Sequence, residues 1–90
     1  MDSSRYRSTV LQIEYFSPAD ESFVGEIDLY AYDLATINAF CPPEIADDPH
    51  YCNGTFIEKE SVSLLQEYID ELKSFVYEEY IYNIITRGIY

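Results

Sequence analysis

Ser61–Arg87 reads SVSLLQEYIDELKSFVYEEYIYNIITR, and its apolar residues recur at helical spacing. Val62, Leu65, Tyr68, Ile69, Leu72, Phe75 and Val76 fall on one side of a helical projection, while Glu67, Asp70, Glu71, Ser74 and Glu78 gather on the other. The spacing predicts one long C-terminal helix with a buried stripe and an acidic back. Ser61 serves as its N-cap, and Arg87-Gly88-Ile89 supplies a basic last turn, a glycine for the left-handed position and an apolar contact. Beyond Glu79 the pattern changes, because Tyr80, Ile81, Tyr82, Ile84 and Ile85 surround the axis instead of following one stripe. A competing reading ends the helix near Glu78 and makes Glu79–Thr86 a strand, since Tyr and Ile favour strands. The lack of Gly or Pro between Val76 and Arg87 favours the continuous helix.

Upstream, Thr9–Phe16 alternates, with Leu11, Ile13 and Tyr15 on one face and Val10, Gln12, Glu14 and Phe16 on the other. This is the pattern of a strand with its odd-numbered side inward. Ser17–Ser22 contains Pro18 and turn-forming residues, which predicts a hairpin loop longer than the two-residue type. The return strand is Phe23–Tyr32, with Phe23, Gly25, Ile27, Leu29 and Ala31 inward and Val24, Glu26, Asp28, Tyr30 and Tyr32 outward. Asp33 caps a short helix, Leu34–Phe40, that Cys41-Pro42-Pro43 terminates. Glu44–His50 is irregular. Asn53-Gly54 signals a type I′ turn whose flanks, Tyr51-Cys52 and Thr55–Ile57, form a small ribbon or a third strand. The expected fold class is α+β: an antiparallel β-hairpin or small sheet packed on one long C-terminal α-helix, plus a short helix. Residues 1–90 form one small acidic domain in which Met1–Ser8 is flexible.

Composition narrows the function classes. Hydrophobic residues make up 48% of the chain, too many for a disordered acidic tail. Seventeen Asp and Glu against five Lys and Arg give a formal net charge of -12. Direct nucleic-acid binding is therefore disfavoured, and an anionic membrane surface repels the chain; the fitting partner is a basic protein. The N-terminus lacks the apolar segment of a signal peptide, and no apolar run spans a bilayer, so the expected location is cytoplasmic. Cys41 and Cys52 fit reduced thiols there.

Cys41, Asp47, Asp48, His50 and Cys52 are the one group resembling a metal site, yet they fall short of four paired Cys or His ligands. Pro42, Pro43 and Pro49 explain that segment as an ordinary loop. No orienting group accompanies His50 and the thiols, and Gly25, Gly54 and Gly88 are isolated, so the reading is of a chain without catalytic function, metal or cofactor. The carboxylates are more informative. On the predicted helix Glu67, Asp70, Glu71 and Glu78 lie within about 16 Å, about one charge per 4 Å against about one per 3.4 Å along a nucleic-acid strand. Glu14, Glu26 and Asp28 repeat the bias on the outer sheet face. Tyr30, Tyr32, Tyr77 and Tyr82 accompany these carboxylates and suit stacking on Arg or Lys, whereas Tyr15 and Tyr68 are assigned to the core.

In size, acidity and lack of catalytic motifs the chain resembles phage-encoded nucleic-acid mimics, the anti-CRISPR and anti-restriction proteins. The resemblance is compositional and rests on no motif, so it transfers no residue roles. It implies an inhibitor that places carboxylates in the basic groove of a nucleic-acid-handling enzyme in the host-cell cytoplasm. An immunity protein neutralising a basic toxin has the same electrostatics. A self-associating adaptor, a homodimer through Tyr80–Ile85, uses the surplus apolar surface instead.

Overall fold

The computed structural model describes residues 8–89. Within them an antiparallel sheet is built from β1 (Ser8–Phe16), β2 (Phe23–Asp28), β3 (Thr55–Phe56) and β4 (Ile81–Ile89), in the spatial order β2-β1-β4-β3. Two helices, α1 (Leu34–Phe40) and α2 (Lys59–Tyr68), and two 3-10 turns, Asp70–Leu72 and Tyr77–Glu79, complete the α+β architecture. The expected fraying of Met1–Ser8 lies outside the described residues apart from Ser8, which opens β1.

The long helix does not form. α2 starts at Lys59, two residues before the expected cap, and ends at Tyr68, where Ile69 turns extended (φ -103°, ψ 108°). Ile81–Ile89 is instead a strand that pairs with β1 along its whole length, from Ser8↔Ile89 to Phe16↔Ile81. The physical reason is non-local. β1 has two hydrogen-bonding edges; β2 satisfies one, and a nine-residue ladder to β4 satisfies the other, a gain that local helical spacing does not report. Gly88 accordingly lies in the ladder, opposite Thr9, and closes no helix. Gln66 stabilises the break, its side-chain amide donating to the carbonyls of Leu72 (3.1 Å) and Phe75 (2.6 Å).

The buried stripe survives the break. Val62, Leu65, Ile69 and Leu72 are all in the core with Ile13, Ile27, Leu29, Ile37, Tyr82 and Ile84, whereas Val76 is half-exposed. One sheet face is thus covered by α1, α2 and the first 3-10 turn. As expected, Ile13 points inward between Leu11 and Tyr15, and Asp33 caps α1 by accepting from the Thr36 amide at 3.0 Å. Ser17–Ser22 closes the hairpin as a long loop, its Ser17 amide donating to the Ser22 carbonyl at 2.9 Å.

Three smaller expectations change. The return strand stops at Asp28, and a turn closed by the Tyr32 amide on the Leu29 carbonyl leads into α1. A bulge between Tyr15 and Phe16 pairs Phe23 with Phe16, leaving Phe23 off the inner face that Ile27 follows. Asn53-Gly54 is no type I′ turn, because Gly54 has φ +78° but Asn53 is not left-handed; the turn is closed by the Gly54 amide on the Tyr51 carbonyl. Of the two expectations for its flanks the third strand holds: Thr55 and Phe56 pair with β4, and no ribbon joins them to Tyr51-Cys52.

Candidate functional site

The sheet face opposite the helices collects several of the expected site residues. Alternation sends Gln12 and Glu14 of β1 to this side, and the registers place Glu26 beside Glu14 and Asp28 beside Gln12. From β4, Asn83 and Ile85 lie on the far side of the same two positions. Glu26 and Asp28 are exposed. Glu14 is not: it is only 6% exposed, with Arg87 donating to both carboxylate oxygens (2.9 and 2.8 Å) and Gln12 to one of them (2.8 Å). The Arg87 hydrogen bonds, with a smaller contribution from Gln12, hold the Glu14 carboxyl below the usual range against the opposing effect of burial.

The end of this face nearest the hairpin loop is apolar. Phe23, Phe16 and Ile81 are direct cross-strand neighbours on β2, β1 and β4, and the Phe16 and Phe23 rings meet edge-on at 5.9 Å. Phe56 of β3, opposite Asn83, closes a depression of about 110 Å³ with Phe16, Ile81 and Glu21. A second depression of about 360 Å³ shares Phe56 and Ile81 and adds Tyr77, Tyr80, Glu58 and Glu78. Phe23 and Phe56 are 54% and 61% exposed. On the solvent side of an antiparallel sheet polar residues are expected, so this row stands out.

The acidic row expected on the long C-terminal helix is dispersed by the break after Tyr68. Glu67 remains exposed on α2, but Asp70 pairs with Lys73 (2.8 Å), Glu71 accepts from the Tyr32 hydroxyl, and Glu78 pairs with Lys59 (3.0 Å). Those contacts raise the Tyr32 pKa and lower that of Glu78. Of the tyrosines, Tyr30 is exposed, Tyr32 half-buried, and Tyr77 half-buried and stacked on Tyr82 at 6.1 Å. Tyr82 is a core residue at 1% exposure; it donates to the Val76 carbonyl, and burial pushes its pKa up to about 12. The surplus apolar surface of Tyr80–Ile85 is largely taken up in the fold, since Tyr82 and Ile84 face the core.

The Cys and His group lies in a loop held by Asp48, which accepts from the amides of Cys52 (2.8 Å) and Asn53 (2.9 Å). Cys41 is a buried free thiol and Cys52 an exposed one. Among the described residues no cluster of three His, Cys, Asp or Glu is arranged to hold a metal ion, and no helix is long and apolar enough to cross a membrane.

The apolar row is not legible in the sequence pattern, which places Phe23 inward and puts Phe56 in a small ribbon or third strand of undefined register. The signal available was the concentration of Phe16, Phe23 and Phe56 beside predicted turns, where solvent-facing residues are ordinarily polar.

An antiparallel sheet with helices on one side, an acidic surface and an apolar row on the open side together define a small acidic α+β domain. The chain belongs to a family described as a domain of unknown function, DUF7683, whose family model matches residues 11–84. No curated protein and no solved structure matches it.

Proposed function

We propose that this protein is a small, non-catalytic inhibitor that docks on a basic, nucleic-acid-binding surface of an enzyme and keeps nucleic acid off it. The observation that carries this reading is the disposition of charge. Among the described residues all three basic side chains, Lys59, Lys73 and Arg87, are engaged by carboxylates. Glu21, Glu26, Asp28, Glu44, Asp47, Glu60, Glu67 and Glu79 remain exposed, on the hairpin, the sheet, the loop and the helical side alike. The negative potential of these unpaired carboxylates therefore extends over the surface, and the dispersal of the expected helical row makes it a field rather than a linear charge array. Such a field steers association with a basic partner and competes with phosphates for it.

The immobilised protein should retain a nucleic-acid-binding enzyme from a lysate of its source at low salt and release it at high salt. The purified pair should then exchange: this protein should displace an oligonucleotide from the enzyme. Retention that ignores salt, or a partner that keeps its oligonucleotide, rejects the reading. A retained toxin without nucleic-acid-binding activity identifies an immunity protein instead.

A further inference from the structure

We infer that the docking surface is the open face of the sheet at its hairpin end, and that its occupant is a basic amphipathic segment of the partner protein, with apolar side chains on the phenylalanine row and Lys or Arg against the carboxylates. This rests on the binding reading above and deepens it by placing the contact. Phe23, Phe16, Ile81 and Phe56 form a row across all four strands, on the side away from both helices. The two adjoining depressions at Phe56 and Ile81 give apolar side chains somewhere to seat. Beside them stand Glu21 on the hairpin loop and Glu58 before α2, with Glu26 and then Asp28 farther along β2, all exposed.

Charge complementarity selects the occupant. An apolar row alone would suit a second copy of this chain, but a copy brings its own Glu21, Glu26, Asp28 and Glu58 against the same residues, and like charges across an interface oppose association. A cationic segment meets the same fringe favourably, and its arginine or lysine heads gain a further contact with the aromatic rings. Glu14 contributes nothing directly, because Arg87 already occupies both its oxygens.

The test is a heteronuclear NMR titration of the isotope-labelled protein with a synthetic twelve-residue amphipathic Leu/Lys peptide, beside an oligolysine of the same length. The Leu/Lys peptide should shift the amides of Phe16, Phe23, Glu26, Phe56 and Ile81, and oligolysine should bind more weakly. The double variant Phe23→Ser, Phe56→Ser should keep its spectral dispersion and bind the Leu/Lys peptide at least about tenfold more weakly. Shifts confined to α2 and the 3-10 turns, with affinity unchanged in the double variant, overturn the placement and leave the acidic-binder reading standing. Failure of both peptides to bind at low salt removes both. A concentration-dependent dimer that the double variant dissolves assigns the face to a second copy and overturns the inference.

Discussion

Glu14 shows how far a single residue's role depends on context that alternation does not carry. Its place on the outer side of β1 is legible, but its pairing with Arg87 depends on two residues 73 positions apart meeting across β1 and β4. Removing Arg87 leaves a carboxylate with few routes to water, so Arg87→Ala should cost about 1–3 kcal/mol at pH 7, the half-exposed guanidinium keeping the figure low. The Glu14 carboxyl is held below its ordinary value of 4.5. A depressed folded value means the stabilisation is complete above the ordinary value and is lost as pH falls through the folded one. Urea titrations at pH 7 and pH 3 should therefore show the difference between wild type and Arg87→Ala shrinking in acid; an equal difference at both refutes the pairing as its source. Tyr51 offers a second case. It is fully buried with φ 55°, its hydroxyl donates to the Cys41 carbonyl and accepts from Asn38 at 2.8 Å, and burial pushes its pKa up to about 12. Tyr51→Phe leaves the Cys41 carbonyl without that partner and should lower the unfolding free energy by about 1–3 kcal/mol in a denaturant titration.

At the scale of elements, what was legible was local and what was not was paired at long range. The β1–β2 hairpin, α1 and the core stripe of Val62, Leu65, Ile69 and Leu72 follow from alternation, a cap and helical spacing, and each is present. The competing strand reading of Glu79–Thr86 is the one that holds, and the helical reading prevails in the sequence because both faces of β4 carry apolar side chains. Tyr82 and Ile84 enter the core while Ile81 and Ile85 lie on the other side, next to Phe16 and Gln12, so the two-residue period disappears from the sequence. The chain also lacks the Gly or Pro that would announce a break. In their place it uses Gln66, the extended Ile69 and the aromatic packing of Tyr15 with Phe75 (4.9 Å) and Tyr80 (5.1 Å) beneath the end of the sheet. Gln66→Leu removes the donor to the Leu72 and Phe75 carbonyls without shortening α2, and should cost about 1–2 kcal/mol. Circular dichroism should show helix content no higher than wild type; a rise would mean that Gln66 suppresses a longer helix instead of stabilising the connection.

Across the whole molecule the excess of carboxylates acts against the fold that displays it. A formal charge of -12 on ninety residues produces self-repulsion that the unfolded chain relieves by expanding, and the three ion pairs of Lys59, Lys73 and Arg87 offset little of it. Raising NaCl from about 10 mM to about 150 mM shortens the screening length from about 30 Å to about 8 Å. If that recovers about 1 kcal/mol, the melting temperature should rise by about 4–8 °C. Glu67→Lys with Glu79→Lys should raise the low-salt melting temperature and blunt the response, because both side chains are exposed and neither has a salt-bridge partner among the described residues. An unchanged melting temperature across this range would show that the carboxylates do not strain the fold, and would remove one reason to seek their purpose in a partner. A rise would fit the proposed function: a basic partner would neutralise the surface that costs stability in isolation, so binding and added salt should stabilise the protein through the same charges, and each should diminish the effect of the other.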